Sequence, residues 1–178
     1  IGPYFSKITD SLSFELTNAQ KRVVKEIHTD MKMNVSMNRL LQGDVGSGKT
    51  IVSVLSSTLA VGNNVQVAVM APTEILANQH YESFKMELSK ARITCCLLVG
   101  KMKEKERRII IDNIKIGKSS VVIGTHAIIQ DDVIFKNLGL VIIDEQHRFG
   151  VTQRNKLTKK GINPHLLSMT ATPIPRTL

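Results

Sequence analysis

The sequence predicts an α/β fold on a mostly parallel sheet, from three observations. Six short apolar runs alternate with stretches of helical periodicity. One glycine-spaced loop joins the first apolar run to a helix, and a later run ends in two adjacent acids. A chain of 178 residues with 42% apolar content is one domain of ordinary size with enough surface to bury a core.

The elements follow in order. Thr17-Asn18-Ala19-Gln20 has capping-box spacing, and Ala19, Val23, Val24, Ile27 and Met31 recur at helical intervals, so a helix is expected to open at Thr17. Strands are expected at Arg39 to Gln42, Val65 to Met70, Ile93 to Leu98, Ser120 to Ile123, Leu140 to Ile143 and Leu166 to Met169. Their continuous apolar character predicts burial on both faces. Helices are expected over Thr50 to Val61, Glu74 to Leu88 and Lys103 to Ile116. Such alternation implies right-handed crossovers, with ligands at the carboxyl ends of the strands.

No internal repeat, low-complexity segment or interdomain linker interrupts the pattern. No apolar run approaches the roughly 18 residues of a membrane span, and no targeting segment opens the chain. Cys95 and Cys96 are adjacent in an apolar run with no metal-ligand spacing, and read as reduced core residues of a cytosolic protein. The net charge is +9 and uneven. After Glu145 no acidic side chain occurs, whereas Arg148, Arg154, Lys156, Lys159, Lys160 and Arg176 do. A one-sign stretch suits a polyanion such as a nucleic-acid backbone, or a solvated face. Lys101, Lys103, Lys105, Arg107 and Arg108 alternate with Glu104 and Glu106 above an apolar stripe, and read as a helix face turned to water.

Gly43-Asp44-Val45-Gly46-Ser47-Gly48-Lys49-Thr50 carries the first chemistry. A triphosphate needs several converging N–H donors, which glycines allow by admitting positive φ and close backbone approach, and the following helix adds its positive end. Lys49 is placed to reach the β and γ phosphates and the Thr50 hydroxyl to sit on Mg²⁺. Asp144 and Glu145, ending an apolar strand, supply the remainder: Asp144 to hold the ion, Glu145 to orient or deprotonate an attacking water. The two motifs together favour an ATPase over a phosphotransferase.

At Asp144-Glu145-Gln146-His147 and Thr170-Ala171-Thr172 the chain resembles the superfamily 2 helicases. That resemblance implies a RecA-like P-loop NTPase fold, a three-layer α/β/α sandwich, with ATP and Mg²⁺ as ligands. It implies that Lys49, Asp144, Glu145 and His147 are catalytic, that Thr50 and Asp144 meet the metal, and that Gln146, His147, Thr170, Ala171 and Thr172 couple hydrolysis to movement. Pro72-Thr73, Gly100 and Gly124-Thr125-His126 resemble the family's nucleic-acid-facing motifs. Thr73-Glu74 is equally a helix N-cap, and Gly124-Thr125 a strand-ending turn. Phe14 to Gln20 is similar to the adenine-reading Q motif, in which Gln20 would bond the base and Phe14 pack near it. Gln20 completing the capping box and Phe14 in the core are the competing readings.

Finer detail resembles the bacterial RecG family of ATP-dependent DNA translocases, over about Phe14 to Leu178. The strings are Leu40 to Thr50, Asp144 to Val151 and Thr170 to Leu178. Ser47 and Gln146 separate it from the transcription-repair coupling factor, which tends to carry an aromatic and a second Glu there. Val99 departs from the family's Thr. The resemblance implies action on branched DNA in recombination and repair, in the bacterial cytoplasm, as a monomer without membrane contact. Residues 1–13 are expected to lead in from a preceding domain and 14–178 to form the first RecA-like domain. The second RecA-like domain, with its arginine finger, and the wedge domain are expected to lie outside this stretch. Another superfamily 2 ATPase, or a nucleotide-binding module inactive in isolation, remains the alternative.

Overall fold

The computed structural model describes residues 2–43 and 48–171. Six parallel strands form one sheet in the order β1-β6-β5-β2-β4-β3. They are β1 (Asn38–Gln42), β2 (Gln66–Met70), β3 (Cys95–Leu98), β4 (Val121–Gly124), β5 (Leu138–Asp144) and β6 (His165–Thr170). The helices are α1 (Pro3–Ser11), α2 (Asn18–Met31), α3 (Lys49–Val61), α4 (Glu74–Leu88), α5 (Glu104–Lys115) and α6 (Val151–Thr158).

Two apolar cores cover the two faces of the sheet, which makes the expected three layers. Val67, Val69, Val121, Ile123, Leu140 and Ile142 meet α1 to α4 on one face through Ile8, Ile27, Leu55, Phe84 and Leu88. Ala68, Met70, Val122, Val141 and Ile143 meet α5, α6 and the loops on the other through Ile114, Ile128, Phe135 and Leu157. Alternate residues of the central strands thus point to opposite layers, both dry.

Burial on both faces holds for the central strands and fails at the rims. β1 and β3 are the outermost two, and Leu40 is 37% exposed. A strand with one neighbour is covered by fewer helices, so its apolar run is half-wet. Cys95 and Cys96 are accordingly half-buried on β3 rather than in the core, free of any disulfide; burial still pushes the Cys96 thiol up to about 11.

The α2 and α4 termini match their sequence signals. Thr17 Oγ1 accepts from Gln20 N at 3.1 Å while Gln20 Oε1 accepts from Thr17 N at 2.9 Å. Thr73 Oγ1 accepts from Leu76 N at 3.2 Å, and Glu74 stands in the first turn, where the helix dipole favours an acid. α1 and α6 were not among the expected helices. α1 lies within residues 1–13 and packs on the same core, with Ile8 fully buried. On α5 the basic residues face solvent, and Arg107 forms a bidentate pair with Asp132 at 2.6 and 2.7 Å.

Candidate active site

The strand order sorts the carboxyl rim of the sheet into two halves. β1, β6 and β5 are contiguous, and their ends carry Gly43, Thr170-Ala171 and Asp144-Glu145. β2, β4 and β3 are likewise contiguous, and they lead into Pro72-Thr73, Gly124-Thr125-His126 and Gly100. Residues more than a hundred positions apart are thereby grouped by the role the sequence suggested.

In the first half, Gly43 N donates to Thr170 O at 3.2 Å, which ties the start of the phosphate loop to the coupling motif. Lys49 Nζ donates to Gly43 O at 2.7 Å, so the amine spans the loop from its helical end to its strand end. Asp44, Val45, Gly46, Ser47 and Thr172 lie outside the described residues. Gly48 opens α3 at φ 84°, a left-handed conformation that glycine adopts without strain. A Cβ there would also overlap Gln20 Nε2. The backbone entering α3 and the Gln20 amide are therefore in contact.

Phe14, Thr17, Gln20, Gly48 and Thr50 line one cleft of about 440 Å³. Phe14 is 50% exposed at this cleft, so it is not a core residue. The structure shows the capping-box reading of Gln20 in place and sets its amide at the nucleotide-side cleft as well. Oε1 completes the capping box, and Nε2 lies on the Gly48 side.

β5 delivers the acids. Asp144 is 7% exposed and Glu145 follows at φ 53°, ψ 52°, a left-handed conformation rare for a residue with a side chain. That turn redirects the chain at the strand end. Glu145 Oε2 lies 3.5 Å from His147 Nε2, whose side chain is 53% exposed. Gln146 Oε1 accepts from Arg154 Nη1 at 3.2 Å, which joins the acidic motif to α6.

Sequence reasoning missed His80. From α4 its Nε2 reaches Asp144 Oδ2 at 2.6 Å. An ionised carboxylate only accepts, so the contact with it uses the tautomer that carries the hydrogen on Nε2. The available signal was its place on the buried stripe of α4, with Ala77, Phe84 and Leu88 at helical spacing. A polar ring on an apolar stripe needs a partner, but the spacing cannot say which.

The second half is less uniform than its motifs suggested. His126 and Gly100 are exposed and Pro72 and Thr73 half-buried, but Gly124 and Thr125 are buried. A Cβ on Gly124 would overlap the Leu98 carbonyl, and the Thr125 hydroxyl accepts from Ala127 N at 3.4 Å. These two shape the turn that displays His126. Glu74 Oε1 accepts from Lys101 N at 3.3 Å, which links the loops after β2 and β3.

Among the described residues no cluster of three His, Cys, Asp or Glu could cage a metal ion. Thr50 and Asp144 offer hard oxygen donors only, the sparse protein set that suits Mg²⁺ held largely by phosphate and water.

The strands of this wholly parallel α/β/α sandwich that lead into Gly43 and Asp144-Glu145 flank β6; that fold is the one shared by nucleoside-triphosphate-binding domains, and the chain belongs to the DEAD/DEAH box helicase family, whose model matches residues 17–178. It is similar to the ATP-dependent DNA helicase RecG of Aquifex aeolicus, 54% identical over 177 residues, which cover 98% of this chain and 22% of that protein. RecG of Streptococcus pneumoniae is 55% identical over 168 residues, covering 94% and 25%. A solved RecG bound to a three-way DNA junction superposes with a TM-score of 0.85 at 50% identity, covering 96% of this chain and 23% of that one. A DEAD-box helicase solved with single-stranded RNA shares the fold, with a TM-score of 0.77 at 19% identity, covering 98% and 39%. The resemblance to RecG read from the motifs is borne out by these relatives, of whose length the chain spans 22% to 25%. Among the described residues no helix is long and apolar enough to cross a membrane.

Proposed function

We propose that this chain is the ATP-binding domain of a DNA-remodelling motor of RecG type, acting on branched DNA within a longer protein. The observation that carries the proposal is the contiguity of β1, β6 and β5, which gathers Lys49-Thr50, Thr170 and Asp144-Glu145 at one place.

In this reading Lys49 neutralises charge on the β and γ phosphates, and the N-terminus of α3 adds backbone donors. Thr50 and Asp144 would hold Mg²⁺, which when bound would supply charge neutralisation on the phosphate oxygens. Glu145 orients the attacking water and takes its proton. Gln20 and Phe14 receive the adenine in their cleft. Thr170, tied to Gly43, senses the phosphate loop, while Gln146 and His147 report to the rest of the motor. Pro72-Thr73, Gly100 and His126 face the DNA backbone. An arginine from a second RecA-like domain completes the site, so the 178-residue stretch alone binds nucleotide weakly and hydrolyses little.

The test is ATP hydrolysis by the full-length protein on forked, linear and single-stranded DNA. A strong preference for forks is expected. Glu145→Gln should lower turnover by about 10²-fold or more while retaining ATP binding. Equal rates on all three DNAs would remove the RecG-type reading.

A further inference from the structure

The carboxyl rim has a seam between β5, the last strand of the nucleotide half, and β2, the first strand of the nucleic-acid half. A side-chain bond spans it: His80 Nε2, on the helix that follows β2, to Asp144 Oδ2, the last residue of β5. We propose that His80 is a positioning residue of the nucleotide site, fixing the Asp144 carboxylate from α4 so that its second oxygen is held for the metal–nucleotide complex; this rests on the nucleotide-site reading above.

Three observations carry the proposal. The bond is short and protected, with side chains only 13% and 11% exposed, so water competes poorly for either group. The imidazole is itself fixed: the Phe84 ring, one turn on along α4, meets it edge-on at 6.3 Å and 89°, and Phe84 is fully buried. The ring is therefore anchored to the core and not to the mobile end of a surface side chain. Finally, α4 begins at the Thr73 cap beside Pro72, and its Glu74 holds the loop after Gly100 through Lys101 N. One rigid helix thus joins the face read as DNA-facing to the acid read as metal-binding.

A donor that fixes one oxygen of a ligating carboxylate sets the orientation of the other, and loss of such outer partners typically costs about 10- to 100-fold in metal affinity or activity. The experiment measures, in the full-length protein, the Mg²⁺ concentration that half-saturates binding of a fluorescent ATP analogue. Variants are His80→Leu, which fills the space without donating, and His80→Gln, whose amide nitrogen can stand near the lost Nε2. His80→Leu should raise the half-saturating Mg²⁺ about tenfold or more, and His80→Gln should restore most of it. Should the leucine variant not fold, His80→Asn, too short to reach Asp144, takes its place with the same expectation. A midpoint within twofold of the unchanged protein in a folded His80→Leu or His80→Asn variant overturns the proposal. Lys49→Ala separates the two readings: if it too leaves nucleotide binding intact, the site itself has been misread, whereas if it abolishes binding, the failure belongs to His80 alone.

Discussion

Glu145 stands at φ 53° between the end of β5 and the turn Gln146–Arg148, and for an L-residue with a long side chain that conformation costs about 1–2 kcal/mol. It persists because both flanks are fixed. Asp144 is held in the ladder opposite Met169 and by His80, and Arg148 N closes the turn on Glu145 O at 2.9 Å. Backbone strain kept at the residue read as water-activating is a common feature of reactive sites. Backbone and carboxylate can be separated by substitution. Asn enters the left-handed region more readily, so Glu145→Asn should leave thermal stability equal to or up to about 1 kcal/mol above that of the parent while ending hydrolysis. Glu145→Val, β-branched at positive φ, should lose about 1–2 kcal/mol. Thermal unfolding of the three proteins side by side decides it, and a fall in the Asn variant would show that the turn is not strained.

Secondary elements carry the next level of information, and Gln66 shows how one buried amide locks several together. It is 5% exposed at the start of β2; its Nε2 donates to Ile114 O and Ser119 O, each at 2.9 Å, and its Oε1 accepts from Asn137 N at 2.9 Å. The end of α5, the approach to β4 and the approach to β5 are thus pinned to one side chain. Gln66→Leu removes all three bonds and takes the Gln66 partner from Ser119 O and Asn137 N, while Ile114 O keeps Gly117 N at 3.2 Å, so a loss of about 2–3 kcal/mol is expected in denaturant unfolding. A loss below about 0.5 kcal/mol would mean that water replaces the amide. None of this was legible in a glutamine before an apolar run. The strands and α2 to α5 were legible, because each has apolar spacing or a cap such as Thr73. α6 was not, because Leu157 is its only buried residue, and one residue has no period. α1 did carry a signal that was passed over, with Pro3 at its start and Tyr4, Phe5, Ile8 and Leu12 at helical spacing on the core. His80 was invisible as a partner of Asp144 because the pairing arises from the strand order β5-β2, which no local pattern encodes.

Across the whole molecule the two ends of the sheet differ in kind, with the functional motifs at the carboxyl rim and a cavity of about 480 Å³ at the amino end, lined in part by His28, Asn137, Gly139 and His165. Motifs suggested the chemistry of the rim, but only the order β1-β6-β5-β2-β4-β3 groups the residues read as nucleotide-binding apart from those read as facing nucleic acid. The opposite end predicts how the fold responds to acid. Burial lowers the pKa of His165, whose Nδ1 accepts from Met37 N at 2.9 Å, and burial with Lys32 nearby lowers that of His28. In both cases the folded chain holds its proton more weakly than the unfolded chain, whose histidines titrate near about 6.5. Their stabilising contribution is therefore full above that value and is lost as pH falls through the lower folded values. Protonated His165 could not accept from Met37 N, so the approach to β1 and the start of β6 should loosen together. Thermal midpoints should drop between pH 7.5 and pH 5.5, above the range in which ordinary carboxylates titrate. His165→Gln, whose amide oxygen can accept from Met37 N without titrating, should flatten that drop, with His28 supplying what remains. An unchanged slope in this variant would place the acid sensitivity elsewhere.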